Sequence, residues 1–355
     1  MVGNMKKQII FAFILVIAIL SFSSCNDPVF YAISMDEKIL DPRINGSPTN
    51  FVEFGTALYV ATGRNLFSYS GNSWSAPTRL DNRILQLAAA NTLYALCEGS
   101  SGMVLQYLDS GTWKNVPSAP SNIQSIHGTD NQLFLGTSTA VFHFNGGSFT
   151  NIGNIGSRRL NGAAYNGTTY YLCTTGGIYT TDLSSLSATP FGDGVFFMGI
   201  TEHSGEVYAI ARNTNLYRST GNFSTSIANF GDRLATGALA VCVIGSNTIL
   251  LAGRQEHLTA SVSSGYTYGY MELNITGGTI GSFHEPGVGT PTTLHSSDNN
   301  ERYKSTIGKV PVNHIIQTSV AVDANRVLFA VTQRNGVWSY RIRPRNNQWQ
   351  WNAET

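Results

Sequence analysis

The chain has 355 residues, enough for one large core or one closed array of repeats. Its formal net charge is +1 and only 12% of its residues are charged, which argues against a nucleic-acid binder, because phosphate neutralisation needs a basic face. Asn, Ser, Thr and Gly supply the polar surface instead, as suits a turn-rich β protein outside the cytosol.

At the N-terminus, Lys6 and Lys7 precede an apolar run from Ile9 to Leu20. A run of about a dozen residues is short for a membrane span and has the length of a signal-peptide core. Phe22-Ser23-Ser24-Cys25 follows at once. The segment resembles a bacterial lipoprotein signal, with Phe22 standing where Leu is usual, as in the relaxed versions of spirochaetes and some other bacteria. The resemblance implies a signal peptide over 1–24, lipidation of Cys25 with palmitate, and a lipidated N-terminus and linker over 25–48. That would anchor the chain to the inner or outer membrane of the cell envelope, on the periplasmic or surface side.

From residue 49 onward a unit repeats: an apolar-aromatic pair, small residues, a turn, a second aromatic strand, then a Gly turn and an aromatic. The pair falls at Leu58-Tyr59, Leu93-Tyr94, Leu133-Phe134, Tyr170-Tyr171, Val207-Tyr208, Ile249-Leu250 and Leu328-Phe329. Its spacing is close to the length of a four-stranded blade except for the last interval, which is nearly double. Short strands at this period predict an all-β, seven-bladed β-propeller of four-stranded antiparallel blades over 49–355. In the third blade the strands are expected at Ile123–Ile126, Leu133–Gly136, Val141–Phe144 and Ser148–Ile152. The long interval reads as an insertion over Gly287–Lys309, rich in Ser, Thr, Asn and charge, in preference to a degenerate eighth blade. Small residues (LAAA, GAAY, GALAVC) suit strands crowded at the axis. Trp74, Trp113, Phe149, Phe223, Trp349 and Trp351 suit the wider rim.

The third repeat, LFLGTSTAVFHFNGGSF, resembles the sensor propellers of bacterial two-component regulators. The turns Asp109-Ser110-Gly111-Thr112-Trp113 and Ser219-Thr220-Gly221-Asn222-Phe223 are similar to the Asp-box of sialidase-like propellers, although most copies lack the aspartate. These resemblances imply a propeller lipoprotein and leave the ligand open, since propellers host unrelated activities.

Catalytic sets are hard to find. Glu53, Glu202, Glu272 and Glu285 fall in different blades with no shared spacing, and neither a sialidase-type arginine motif nor a GxSxG elbow is present. His257, His284, His295 and His314 read as solvated loop residues. Cys97, Cys173 and Cys242 are odd in number and lie in apolar strands, so they read as small buried hydrophobes. No metal or cofactor is expected.

One pattern stands out. The residues just before each predicted inner strand are Asn50, Arg83, Asn122, Arg159, Gly194, Arg233 and Asn313, with His314 beside the last and Arg158 adding charge. Such positions would ring one mouth of a central channel. Converging guanidinium groups and amides there would suit a carboxylate, phosphate or sulfate. The expectation is a monomeric, non-catalytic envelope propeller that binds a protein or glycan through loops on one face. A sialidase-like or other glycan-processing enzyme is the alternative.

Overall fold

The computed structural model describes residues 43–354, apart from 72, 231–233, 245–246, 256–268, 279–280, 282, 285–310, 319–325, 334 and 344–347. Cys25, Arg233, Glu285, His257, His295 and the insertion over 287–309 lie outside the described residues. No helix among those described is long and apolar enough to cross a membrane.

The strands form seven separate sheets, each built from consecutive strands paired antiparallel. The chain is a seven-bladed propeller. The inner strands are Val52–Phe54, Arg83–Ala89, Ser125–Thr129, Leu160–Tyr165, Phe197–His203, Ala235–Ile244 and Val312–Gln317. The apolar-aromatic pair lies in the second strand of every blade. That strand is covered on both faces and paired on both edges, so Leu58, Leu93, Leu133, Leu250 and Leu328 are fully buried. Two blades depart from four regular strands. In blade 1 the outer edge is split into Ser73–Trp74 and Thr78–Arg79, both paired with the third strand. In blade 4 it is reduced to the bridges Thr181↔Leu186 and Ile178↔Phe191.

The inner strand of blade 3 begins at Ser125, two residues later than the sequence suggests. Five inner strands (blades 2, 4, 5, 6 and 7) break register near their start, at Ile84/Gln86, Leu160/Gly162, Phe197/Gly199, Ala235/Leu239 and Val312/His314. Bulges of this kind re-aim side chains next to functional openings.

The apolar core is divided into seven clusters, and each lies between two blades. Val52 and Ala61 of blade 1 pack with Leu87 and Ala95 of blade 2. Ala88 and Leu96 of blade 2 pack with Ile126 and Leu133 of blade 3. The series continues through blades 3–4, 4–5, 5–6 and 6–7, and Phe329 and Val331 of blade 7 meet Phe51 and Leu58 of blade 1. Cys97, Cys173 and Cys242 are buried free thiols in these clusters. Burial pushes the Cys97 thiol up to about 12, so it behaves as a packing group rather than a nucleophile.

The last interface closes without strand exchange, since the seventh blade takes all its strands from the C-terminal part of the chain. Residues 43–47, expected within a linker, are packed there. Val337 N donates to Ile44 O at 3.0 Å, Gly336 N to Gly46 O at 3.1 Å, and Arg43 N to Glu354 O at 2.6 Å. The Glu354 side chain, 1% exposed, accepts from Trp74 Nε1 of blade 1 at 2.8 Å and from Ser339 Oγ of blade 7. Trp74 stands edge-on to Phe329 at 6.0 Å. The rim aromatic expected at Trp74 is therefore also a clasp.

Replacing Glu354 with Ala leaves the buried Trp74 N–H and Ser339 hydroxyl without this acceptor. The expected loss is about 2–3 kcal/mol of stability, read as a lower denaturant midpoint with unchanged slope. An unchanged midpoint would show that closure does not depend on this carboxylate.

Candidate functional site: the central channel

The inner strands surround a channel of about 860 Å³. Neighbouring inner strands belong to different sheets, so their facing backbone groups need partners other than a ladder. Side chains supply them. Asn50 Nδ2 donates to Leu87 O at 2.8 Å while Leu87 N donates to Asn50 Oδ1 at 3.0 Å. One blade on, Gln86 Nε2 donates to Ile126 O at 2.6 Å and Ile126 N to Gln86 Oε1 at 3.1 Å. Leu160 O of blade 4 accepts from Ser125 Oγ at 2.7 Å and from His127 Nε2 at 3.3 Å. Asn161 Nδ2 donates to Phe197 O of blade 5 at 2.7 Å, and Thr236 Oγ1 to Val312 O of blade 7 at 2.6 Å. Phe51 N donates to His314 Nδ1 at 3.3 Å, which returns the belt to blade 1.

Between blades 5 and 6 the backbones themselves abut. A Cβ on Gly199 would fall 2.0 Å from Gly237 O, and one on Gly128 would fall 1.7 Å from Ala89 O between blades 2 and 3. Glycine is required at both by this approach.

Three of the belt residues, Gln86, Ser125 and His314, share a register with two glycines of the inner strands. Gln86, Ser125, Gly162, Gly199 and His314 each face the residue three past the first member of the apolar-aromatic pair: Leu96, Gly136, Cys173, Ile210 and Val331. Gln86, Ser125, His127, Asn161 and Thr236 escaped the sequence reading because no one residue type recurs. Counting from the pair, instead of from the estimated strand start, would have aligned Gln86 and Ser125; Asn161 and Thr236 lie within the register shifts of their strands.

The expected ring of Asn50, Arg83, Asn122, Arg159, Arg233 and Asn313 is only partly assembled. Asn50, Arg159 and Asn313 line the channel. Arg83 has the register of Arg159 but reaches out to Glu98 at 3.7 Å, both side chains being exposed. Asn122 stands three residues before its inner strand, in a left-handed turn with φ 62°. Gly194 likewise lies three residues ahead of Phe197. The bulges and the late strand starts cause these offsets. Arg158 is held away from the mouth by Asp193 at 2.8 Å and by the Tyr179 hydroxyl.

Two other expectations change. His314 is not a loop residue: it lies in the inner strand of blade 7 and lines the channel. Glu53 and Glu202, from blades 1 and 5, line the same channel near the downstream ends of their strands. Glu202 Oε1 accepts from Gly205 N at 2.7 Å, and Glu53 accepts from Thr318 Oγ1. Among the described residues no group of acidic, His and Cys side chains is placed to hold a metal ion.

No family model and no curated protein matches the chain. Solved propellers do match its fold. The extracellular domain of a protein described as a one-component system from B. thetaiotaomicron aligns with TM-score 0.55 at 13% identity, covering 85% of this chain and 39% of that one. The chain thus spans about two fifths of that relative's length. YCF48 bound to D1 peptide aligns with TM-score 0.53 at 13% identity, covering 87% of this chain and 96% of that one. Virginiamycin B lyase from Staphylococcus aureus, an inactive variant with quinupristin, gives TM-score 0.56 at 9% identity, covering 84% and 96%. At these identities the likeness is one of fold, and it includes a sensor propeller of the kind the third repeat resembles.

Burial pushes His127 down to about 4, reinforced by the charge of Arg159 and opposed by the bond to Leu160 O. Burial likewise pushes His314 down to about 4, and its Nδ1 can accept from Phe51 N only while unprotonated. Both rings are neutral in the folded chain at neutral pH. The unfolded chain, with histidines near 6.5, binds more protons between about pH 4 and 6.5, so the fold loses stability as pH falls through that window. Melting curves should shift down by roughly 5 °C or more from pH 7 to pH 4.5, and His314→Gln should flatten part of the shift. An equal shift in that variant would remove His314 from the account.

Proposed function

We propose that the chain is a lipid-anchored, non-catalytic propeller of the cell envelope that binds a protein or glycan partner through the loops on one face. The observation that carries this reading is the rigid channel mouth. There Arg159 and Asn313, from blades 4 and 7, line the channel at the starts of their inner strands. Binding by propellers of this fold supports it, since one neighbour is an extracellular regulator domain and another was solved holding a peptide. The Lys6–Cys25 signal pattern supports the anchor. Palmitate labelling should be present in the parent and lost in Cys25→Ser, with the variant leaving the membrane fraction. Labelling that survives the substitution would sink the anchor. Co-purification from the native envelope, read by mass spectrometry with glycan analysis, tests the partner.

A second reading, a glycan-processing enzyme, is favoured by Glu53 and Glu202 lining one channel, because glycoside hydrolysis needs two carboxylates about a sugar. On that reading, release of reducing sugar from envelope glycan would fall by about 100-fold or more in Glu202→Gln. No release by the parent protein would dispose of it.

A further inference from the structure

Among the described residues cations outnumber carboxylates on one face of the propeller and carboxylates outnumber cations on the other. Inner strands run from an upstream face to a downstream face and second strands return, so the turns after second strands lie upstream beside the crossings between blades. The upstream face carries Arg64, Arg83, Arg159 and Arg212, all exposed, beside the carboxylates Asp81, Glu98 and Asp193, of which Glu98 pairs with Arg83 and Asp193 with Arg158. The downstream turns carry Asp109, Asp130, Asp182, Glu202 and Glu206. Arg64, Arg159 and Arg212 make no ion pair among the described residues, and Arg83 makes one long, exposed pair.

Apolar surface gathers on the same upstream side. Phe196 and Leu234 are each 39% exposed. Phe196 holds the register of Arg159 one blade on, since Leu160 and Phe197 pair with Thr174 and Ala211, each four past the first member of the apolar-aromatic pair. Leu234 stands one position further out in blade 6, where Ala235 pairs with Arg254. The Arg212 guanidinium lies over the Phe196 ring at 5.4 Å. Arg212 N donates to Phe196 O at 2.8 Å, and Ala235 N to Arg212 O at 3.0 Å. Arg159, Phe196, Arg212 and Leu234 thus form one patch across blades 4 to 6, beside the channel mouth.

We propose that this patch docks an acidic segment of a partner protein, its carboxylates on Arg159 and Arg212 and a large apolar side chain on Phe196 and Leu234. The proposal rests on the partner-binding reading above and names its face and chemistry. Arginine beside an exposed aromatic is the composition of an interface centre, and fixed guanidinium forks match carboxylates. A bare phosphate site would have no use for the two apolar side chains.

The test uses the detergent-extracted full chain and a short fluorescent peptide of Glu, Asp and Leu, with a Lys and Leu peptide and phosphatidylglycerol vesicles as competitors. The acidic peptide should bind and weaken with salt. The affinity should fall at least about tenfold in Arg159→Ala/Arg212→Ala and in Phe196→Ser, and stay unchanged in Asp109→Asn on the other face. Equal binding of the basic peptide, equal binding by the double variant, or binding to vesicles alone would overturn the proposal. The envelope co-purification, repeated with the double variant, separates the two levels. A partner retained by the variant rejects this patch and leaves partner binding standing, whereas no partner recovered by the parent rejects both.

Discussion

The structure depends on what happens to the unpaired inner edge of each sheet. A blade's first strand has one edge in its own ladder and one turned toward the axis, where the neighbouring blade is close but does not pair with it. Backbone groups left there without partners cost several times the value of an ordinary hydrogen bond. Asn50 and Gln86 answer this most fully. A carboxamide carries a donor and an acceptor with the spacing of a peptide group, so each occupies both the N–H and the C=O of one residue on the next strand. Ser125, Asn161 and Thr236 each satisfy one carbonyl. At Gly199 and Gly237 the strands lie too close for any side chain. The belt fixes how near the blades stand, and so fixes the width of the channel.

Because the belt joins blades and the apolar clusters also lie between blades, no blade holds a core of its own. Each interface supports its two neighbours, and the ring gains its cooperativity only when the seventh is made. That interface joins the two ends of the described chain, so it has the longest loop to close. The aromatic group of Phe51, Tyr69, Trp74 and Phe329 supplies apolar burial there. Glu354 and residues 43–47 add specific hydrogen bonds that a wrongly docked end could not make.

How much could be read from the sequence follows from the same geometry. The second strand of each blade is buried on both faces, so its apolar-aromatic pair recurs, and the number of blades could be counted from it. Cys97 and Cys173 were legible for the same reason, and Cys242 by the apolar run of its inner strand. Inner strands were harder. Their starts are displaced by bulges, and an error of two residues moved Asn122 and Gly194 off the mouth. The belt was invisible because Asn, Gln, Ser, Thr and His do one job with different atoms. Arg159 lines the channel and Arg83 does not, although they hold the same register. The difference is Glu98, which faces Arg83 and draws it outward, a cross-strand neighbour that no linear pattern reveals.

The unequal charge of the two faces also has a local origin. Downstream, the connections are tight hairpins, and their carboxylates are occupied in shaping turns. Asp182 accepts from Ser184 Oγ and from the Ser184 and Ser185 amides, which hold its carboxyl down at about 2. Glu202 caps Gly205, Glu206 accepts from the Thr220 hydroxyl, and Asp130 accepts from Tyr170 Oη at 2.7 Å. Asp109 is held low by Lys114. Acidic side chains engaged in this way are already matched to their neighbours. Upstream, Arg64 and Arg212 lie in turns between second and third strands and Arg159 on a crossing between blades, and all three are exposed without an ion pair among the described residues. A face whose charges are satisfied internally has little to offer an incoming group. One with Arg212 lying over the exposed Phe196 ring presents charge and apolar area together. On the proposed docking, the upstream face is therefore the one with unengaged charge to offer.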